Sequence, residues 1–277
     1  MAAAQTGDLN PHAVQMADES MVRNLDAQAR AIWPQEASLL ARYRLPERAS
    51  ILDAGCGTGE ISSRLALAFA QAEVLGVDIV DAHLELARSR YSGLAPRLRF
   101  EHQSVYDLRE PDGRFDLTVC RHVLHAIPHA EAVVRELARV TRPGGYVHLI
   151  PEDYRMLHFQ SRDGRDPSDF WHTGPLEFGA ATDTDLFIGR NVFSILMRLG
   201  LRDIAMEYVV VDTLRTPRET FAAIIEAWRD GYVDAIAEHT SYSREDAIAY
   251  FDAMAAVIRD PLGYACWLLP VASARVP

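Results

Sequence analysis

Along the chain, short apolar runs alternate with segments whose apolar residues recur every three or four positions. Ile51-Leu52 reads as a buried strand that ends at Asp53 and enters a turn with glycine at 55, 57 and 59. Behind the turn, Ile61, Leu65, Ala68 and Phe69 fall on one face of a helix. Glu73 to Asp78 reads as a second strand ending in an acid, followed by a helix with Leu84, Ala87 and Tyr91 on one face. Leu98 to His102 is a third strand and Phe115 to Cys120 a fourth. A helix carrying Val133, Leu137 and Val140 then ends at Arg142-Pro143-Gly144-Gly145, before a strand from Tyr146 to Ile150. Glycine after proline stops that helix and returns the chain to the sheet. Strand and helix in alternation predict an α/β fold whose ligand sits at the carboxyl ends of the strands.

The flanking segments read differently. Residues 1 to about 10 are expected to be disordered, and Pro11 to Arg44 to be helical, with a break at Trp33-Pro34 and a second helix over Glu36 to Tyr43. Residues 151–186 are polar and aromatic without clear periodicity, the character of a functional loop or cap. Helical spacing resumes over Arg190 to Leu199, and Leu201 to Thr213 is a long strand. Thr216-Pro217-Arg218-Glu219 predicts a capping box, with Phe221, Ile224, Ile225 and Trp228 aligned behind it. Ser243-Arg244-Glu245-Asp246 predicts a further helix start, with Ala247, Phe251, Met254 and Ile258 behind it. Both stripes read as core. Gly263 to Val271 is the final strand.

Composition narrows the function classes. The 277 residues suffice for one large α/β domain with a cap, and 49% of them are hydrophobic, ordinary for a packed protein. A formal charge of −11, without any basic run, argues against a nucleic-acid surface. Three scattered cysteines give no zinc spacing and suit a reducing compartment. Without a signal-peptide pattern or a membrane-length apolar run, the expectation is a soluble cytoplasmic protein. His122, His125 and His129 have near-helical spacing, but no carboxylate or cysteine pattern completes a metal set, so no metal is expected.

The glycine turn alone leaves a dinucleotide site, a nucleoside site or a tight loop open. Its third glycine arrives one residue early for a G-x-G-x-x-G fingerprint, and Glu60 in that place would face a pyrophosphate unfavourably. Asp78, about 20 residues beyond the turn, has the spacing of an acid that accepts ribose hydroxyls. The whole string Asp53-Ala54-Gly55-Cys56-Gly57-Thr58-Gly59 closely resembles the first motif of class I S-adenosylmethionine-dependent methyltransferases. The F-D-x-x-V of 115–119, the His-Ala-Ile-Pro of 125–128 and the R-V-x-x-P-G-G of 139–145 extend the resemblance over about 51 to 150. At the adenine position the family usually has Gly-Asp-Ala, and this chain has Gln103-Ser104-Val105.

The resemblance implies a doubly wound, seven-stranded, mostly parallel Rossmann-like sheet with the last strand reversed and with helical cap insertions. It implies S-adenosyl-L-methionine as cofactor. Asp53, Gly55, Cys56, Gly57, Thr58 and Gly59 would hold the methionine end, Asp78 and Ile79 the ribose, Ser104 and Val105 the adenine, with Cys120 and Arg121 beside them. Residues 1–45 divide off as an N-terminal helical lid, in which Met21 to Trp33 reads equally as lid or as packing helix and Glu36 to Arg44 as packing. Residues 46–277 form the methyltransferase domain, with an acceptor cap at 151–186 and a helical insertion at 216–261. The expected reaction is methyl transfer by in-line displacement to oxygen or nitrogen, or to carbon, of a small-molecule acceptor, with no nucleic-acid or membrane partner. His125 and Asp153 are the candidate bases, though His125 reads somewhat more readily as a structural residue packing behind the cofactor. Trp33, Tyr154, His158, Trp171 and His172 are the candidate acceptor contacts, and Arg190 is either a carboxylate anchor or a surface residue. A cofactor-binding sensor without catalysis, or a nicotinamide oxidoreductase, are the alternatives.

Overall fold

A computed structural model describes residues 10–161 and 166–277; the expectation for the first residues falls largely outside them. One eight-stranded sheet runs through it: β1 (Ser50–Ala54), β2 (Glu73–Asp78), β3 (Leu98–His102), β4 (Phe115–Arg121), β5 (Thr141–Ile150), β6 (Leu157–Phe159), β7 (Arg202–Asp212) and β8 (Ala265–Arg275). β3, β2, β1, β4 and β5 pair in parallel in that order. β8 then runs antiparallel to β5, and β7 pairs antiparallel along its other edge. The last strand is therefore the reversed one. The eighth strand is the three-residue β6, which continues the β5 side of β8 at residues 265–267.

The central parallel strands β1 and β4 are buried on both faces, as continuous apolar runs require, whereas the edge strand β3 exposes Arg99 and His102. Ile51, Val74, Leu117 and Val119 face helices α2 (Glu19–Leu40), α3 (Glu60–Ala68) and α4 (Asp81–Arg90). Leu52, Leu75, Val77 and Cys120 face α5 (Ala130–Val140) and α7 (Val192–Arg198). On α3 the buried face is Ile61, Leu65 and Ala66, whereas Ala68 is exposed. The helix α5 stops at Val140, before Pro143, and the Pro-Gly-Gly stretch lies within β5 beside a register shift.

The expected break at Pro34 does not occur. After the short α1 (Ala13–Met16), α2 runs 22 residues straight through Pro34. A proline forfeits the bond to the carbonyl four residues back, here that of Arg30, and clashes with it. Pro34 and Arg30 both lie on the exposed face, where water can take the freed carbonyl. On the opposite face Ile32, Glu36 and Leu40 are buried on both sides of the proline and hold the helix together.

A third core joins α2 to a cap built from α6 (Phe170–Thr182), α8 (Arg218–His239) and α9 (Arg244–Arg259). α2 and α8 approach closely at Gly231, where a Cβ would sit 2.7 Å from Ser20 Oγ. Ser243 caps α9 by accepting from Asp246 N–H. The capping box expected at Thr216 does not form, since Pro217 occupies the cap position of α8 without a side-chain bond.

Candidate functional site

The sheet brings the glycine turn, Asp78, Ser104, Arg121 and Glu152 together at its carboxyl edge, where they line one cavity. Gly55 and Cys56 donate to the carbonyl of Val77 at 2.8 and 2.9 Å, which bends the turn over the end of β2. Gly55 has φ +76°, and a Cβ there would lie 2.3 Å from Val123 Cγ2. Only glycine fits this conformation and this gap. Asp78 Oδ2 accepts from Gly57 N–H at 2.8 Å, and Oδ1 accepts from Ile79 and Val80 N–H at 2.8 and 3.0 Å. The carboxylate is thereby fixed with lone pairs remaining toward the cavity, which it and Ile79 line. Ser104 and Val105 also line it, although the Ser104 hydroxyl already accepts from Tyr106 N–H at 3.3 Å.

A small recess continues behind the turn, lined by Asp53, Cys56, Thr58, Glu60, Arg121 and Gln28 among others. Asp53 accepts from Ser62 Oγ at 2.6 Å, and burial raises its carboxyl to about 6. Burial also pushes the Cys56 thiol up, which makes it a poor nucleophile. Arg121 Nε lies 3.0 Å from Glu36 Oε1, and His148 Nε2 lies 3.2 Å from the same oxygen. Burial acts to raise Glu36, but Arg121 and His148 outweigh it and hold the carboxyl below its ordinary range. This buried network ties α2 to β4 and β5. Arg121 Nη2 and Thr58 Oγ1 are left buried without partners.

Past β4 and β5 lies an acid–base cluster. His122, in the left-handed region at φ 55°, bonds through Nδ1 to Glu152 Oε1. Tyr154 Oη lies 3.4 Å from His125 Nε2. Burial raises Glu152 to about 7 and lowers His122 and His125 each to about 3, so both imidazoles are neutral at physiological pH. Burial raises the Tyr154 hydroxyl as well. Glu152 Oε2, His122 Nε2 and His125 Nδ1 are buried without partners. The cavity is roofed by Met21, Asn24, Leu25 and Gln28 of α2 and by Trp228 and Tyr232 of α8.

The residues singled out in the sequence separate on this geometry. Gly55, Gly57, Asp78, Ile79, Ser104, Val105, Arg121, His125 and Tyr154 meet in the cavity, and Asp53, Cys56 and Thr58 in the recess. Gly59 caps α3 and Cys120 packs beneath the sheet edge. Asp153 lies away from the cavity: its buried carboxylate takes Arg190 in two bonds of 2.6 and 2.7 Å, which gives both residues a structural pairing. Trp33 packs against the α3 side of the sheet, and His158 and His172 are exposed. Trp171 lines a second chamber that shares Tyr154, Trp228 and Tyr232 with the first. Of the other cavity residues, sequence reasoning passes over Glu152 and Tyr232, weighs His122 only as a metal ligand and reads Trp228 as core.

Residues 51–145 match the family described as "Methyltransferase domain". Among curated relatives, trans-aconitate 2-methyltransferase of Variovorax paradoxus is 35% identical over 117 residues, 42% of this chain and 44% of that protein. The 27-O-demethylrifamycin SV methyltransferase of Amycolatopsis mediterranei is 38% identical over 109 residues, 38% of this chain and 40% of that one. The chain thus spans less than half the length of these relatives. Haemonchus contortus phosphoethanolamine N-methyltransferase 2, solved with S-adenosylhomocysteine, shares the fold at TM-score 0.55 and 18% identity, over 88% of this chain and 53% of its own. Residues 51–145 therefore carry a methyltransferase domain of the class I S-adenosylmethionine-dependent type. Among the described residues no helix is long and apolar enough to cross a membrane.

Proposed function

We propose that this protein transfers a methyl group from S-adenosylmethionine to an oxygen or nitrogen atom of a small-molecule acceptor. The observation that carries the reading is that one cavity joins the glycine cradle and Asp78 to the Glu152, His122, His125 and Tyr154 cluster under an aromatic roof. The residues fit the cofactor. Gly55 and Gly57 line the cavity with backbone alone, and a Cβ on either would meet Val123 or Leu25 at 2.3 or 2.8 Å. The unpaired Arg121 Nη2 suits the amino-acid carboxylate, Asp53 the ammonium, and Asp78 the ribose hydroxyls. Ser104 and Val105 would border the adenine.

The bound cofactor supplies a methyl group already activated on a sulfonium. The chain's own residues then have three tasks. The α2 and α8 side chains exclude water and hold the acceptor in line. Tyr154 and His125, with neutral hydrogen-bonding groups, orient it. Glu152 takes the proton that the acceptor loses, because its raised carboxyl lies close to the working pH, whereas His125 is too weakly basic. His122 positions Glu152. Small-molecule acceptors in the names of the curated relatives support this class of substrate. The test is turnover of S-adenosylmethionine with an acceptor library by wild type and Glu152→Gln. Product formation that falls about 10²-fold or more in the variant, with S-adenosylhomocysteine binding retained, supports the assignment. Cofactor binding without product from any acceptor would leave a sensor.

A further inference from the structure

The second chamber adjoins the reacting cluster and differs from it in chemistry. Phe170, Trp171, Phe178, Leu186, Ile236 and Phe251 supply its walls beyond the residues shared with the cofactor cavity. Among the described residues no Lys, Arg, Asp or Glu lines it. Its one ionisable imidazole, His12, is buried and held at about 4 by desolvation, so it brings no cation at neutral pH. The rings are set by mutual contacts. Tyr154 stacks on Trp171 at 5.3 Å, and Trp228 stands edge-on to both at 5.7 and 5.8 Å. Two polar groups in this wall are unsatisfied: the indole N–H of Trp171, 4% exposed, and the Nε2 of His12 are both buried without a partner. An indole N–H only donates, so what would satisfy it is an acceptor atom on an occupant.

Resting on the methyl-transfer reading above, we infer that the acceptor is an uncharged, ring-bearing molecule that lies in this aromatic chamber and extends its nucleophilic atom past Tyr154 to Glu152. A carboxylate or phosphate on the buried part of the acceptor would lose its hydration and find no counter-ion there. A flat apolar ring finds the faces and edges of Trp171, Trp228 and Phe251. A carbonyl or ether oxygen on that ring meets the Trp171 N–H. The two segments that distinguish the cap, 166–186 and the α8–α9 pair, then act together as the specificity wall.

The experiment uses the full chain with S-adenosylhomocysteine bound, and a matched pair of probes: 2-naphthol and 6-hydroxy-2-naphthoate, which differ by one carboxylate. Calorimetry is expected to give at least 10-fold tighter binding of 2-naphthol. Leu186→Arg, which adds a cation to the wall, should narrow or reverse that preference. Trp171→Phe keeps the ring and removes the donor. It should weaken an oxo-bearing ring such as a hydroxynaphthoquinone several-fold more than it weakens 2-naphthol, and this arm stands if Leu186→Arg does not fold. Equal or tighter binding of the naphthoate to wild type, or no binding of any neutral ring compound while S-adenosylhomocysteine still binds, overturns the inference and leaves methyl transfer standing. Absence of S-adenosylhomocysteine binding overturns both.

Discussion

Replacing Asp78 by alanine perturbs the site at the point where cofactor and fold are hardest to separate. The carboxylate accepts from three backbone N–H groups, those of Gly57, Ile79 and Val80, and borders the cavity. Alanine removes the proposed acceptor of the ribose hydroxyls and also the clamp on the glycine turn. A lost charge-assisted hydrogen bond costs about 1.5–3 kcal/mol, which corresponds to roughly a 10- to 150-fold weaker affinity for S-adenosylhomocysteine. The loss of fold stability should be smaller, about 1 kcal/mol, because the freed N–H groups border an open cavity and water can replace the carboxylate. Calorimetric titration of both proteins, with a guanidinium unfolding curve for each, separates the two effects. A folded variant with unchanged affinity would show that the ribose is held elsewhere and would refute the placement of the cofactor along β2.

Three further outcomes follow from the same geometry. Gly55→Ala meets Val123 Cγ2 and a positive φ together, costs about 2–5 kcal/mol in sum, and should abolish measurable cofactor binding; Val123→Ala in the same chain should recover only the contact part. Glu152 has a folded pKa of about 7 against an ordinary 4.5, so its neutral form favours the folded state: that stability is fully present below 4.5 and is lost as pH rises through 7. Glu152→Gln should therefore gain on wild type between pH 4.5 and 8, by up to roughly 3 kcal/mol at about 1.36 kcal/mol per pKa unit. Glu152→Gln removes a charge that raises His125, so both imidazoles stay neutral over that range in either protein, and a difference that stays flat would contradict the assignment. Glu36→Gln leaves Arg121 buried without its counter-charge and should cost about 3 kcal/mol in a denaturant titration; a change below 1 kcal/mol would show that the network contributes little.

The central strands were legible because they are buried on both faces and a continuous apolar run between turn residues says so locally, and the edge strand β3 because Leu98 and Phe100 alternate with polar residues. Glu73–Asp78 and Leu98–His102 have in the structure the bounds expected from sequence. Pro34 misled because a proline breaks a helix only where its surroundings cannot satisfy the freed carbonyl, and exposure is not written in the residue itself. The β6 strand escaped notice for a related reason: three residues pair only because β8 extends past the end of β5. At the site, the turn, Asp78 and Arg121 could be found by spacing from strand ends. Glu152 was passed over for its neighbour Asp153, although successive side chains of an extended segment point to opposite sides, and only one of the two reaches the cavity. Trp228 reads as core, and Tyr232, one helical turn on, is not singled out. Whether such a stripe meets packed neighbours or open space depends on what the rest of the chain places opposite it.

Methyl transfer itself is tested most directly by following S-adenosylmethionine labelled with carbon-13 at its methyl group, by NMR, in the presence of the full chain and a panel of neutral hydroxylated ring compounds. The account predicts that the sulfonium methyl resonance decays while an O-methyl or N-methyl resonance of an acceptor grows in equal amount, and that Glu152→Gln slows both. A sulfonium resonance that persists with every acceptor, while calorimetry shows the cofactor bound, would contradict it.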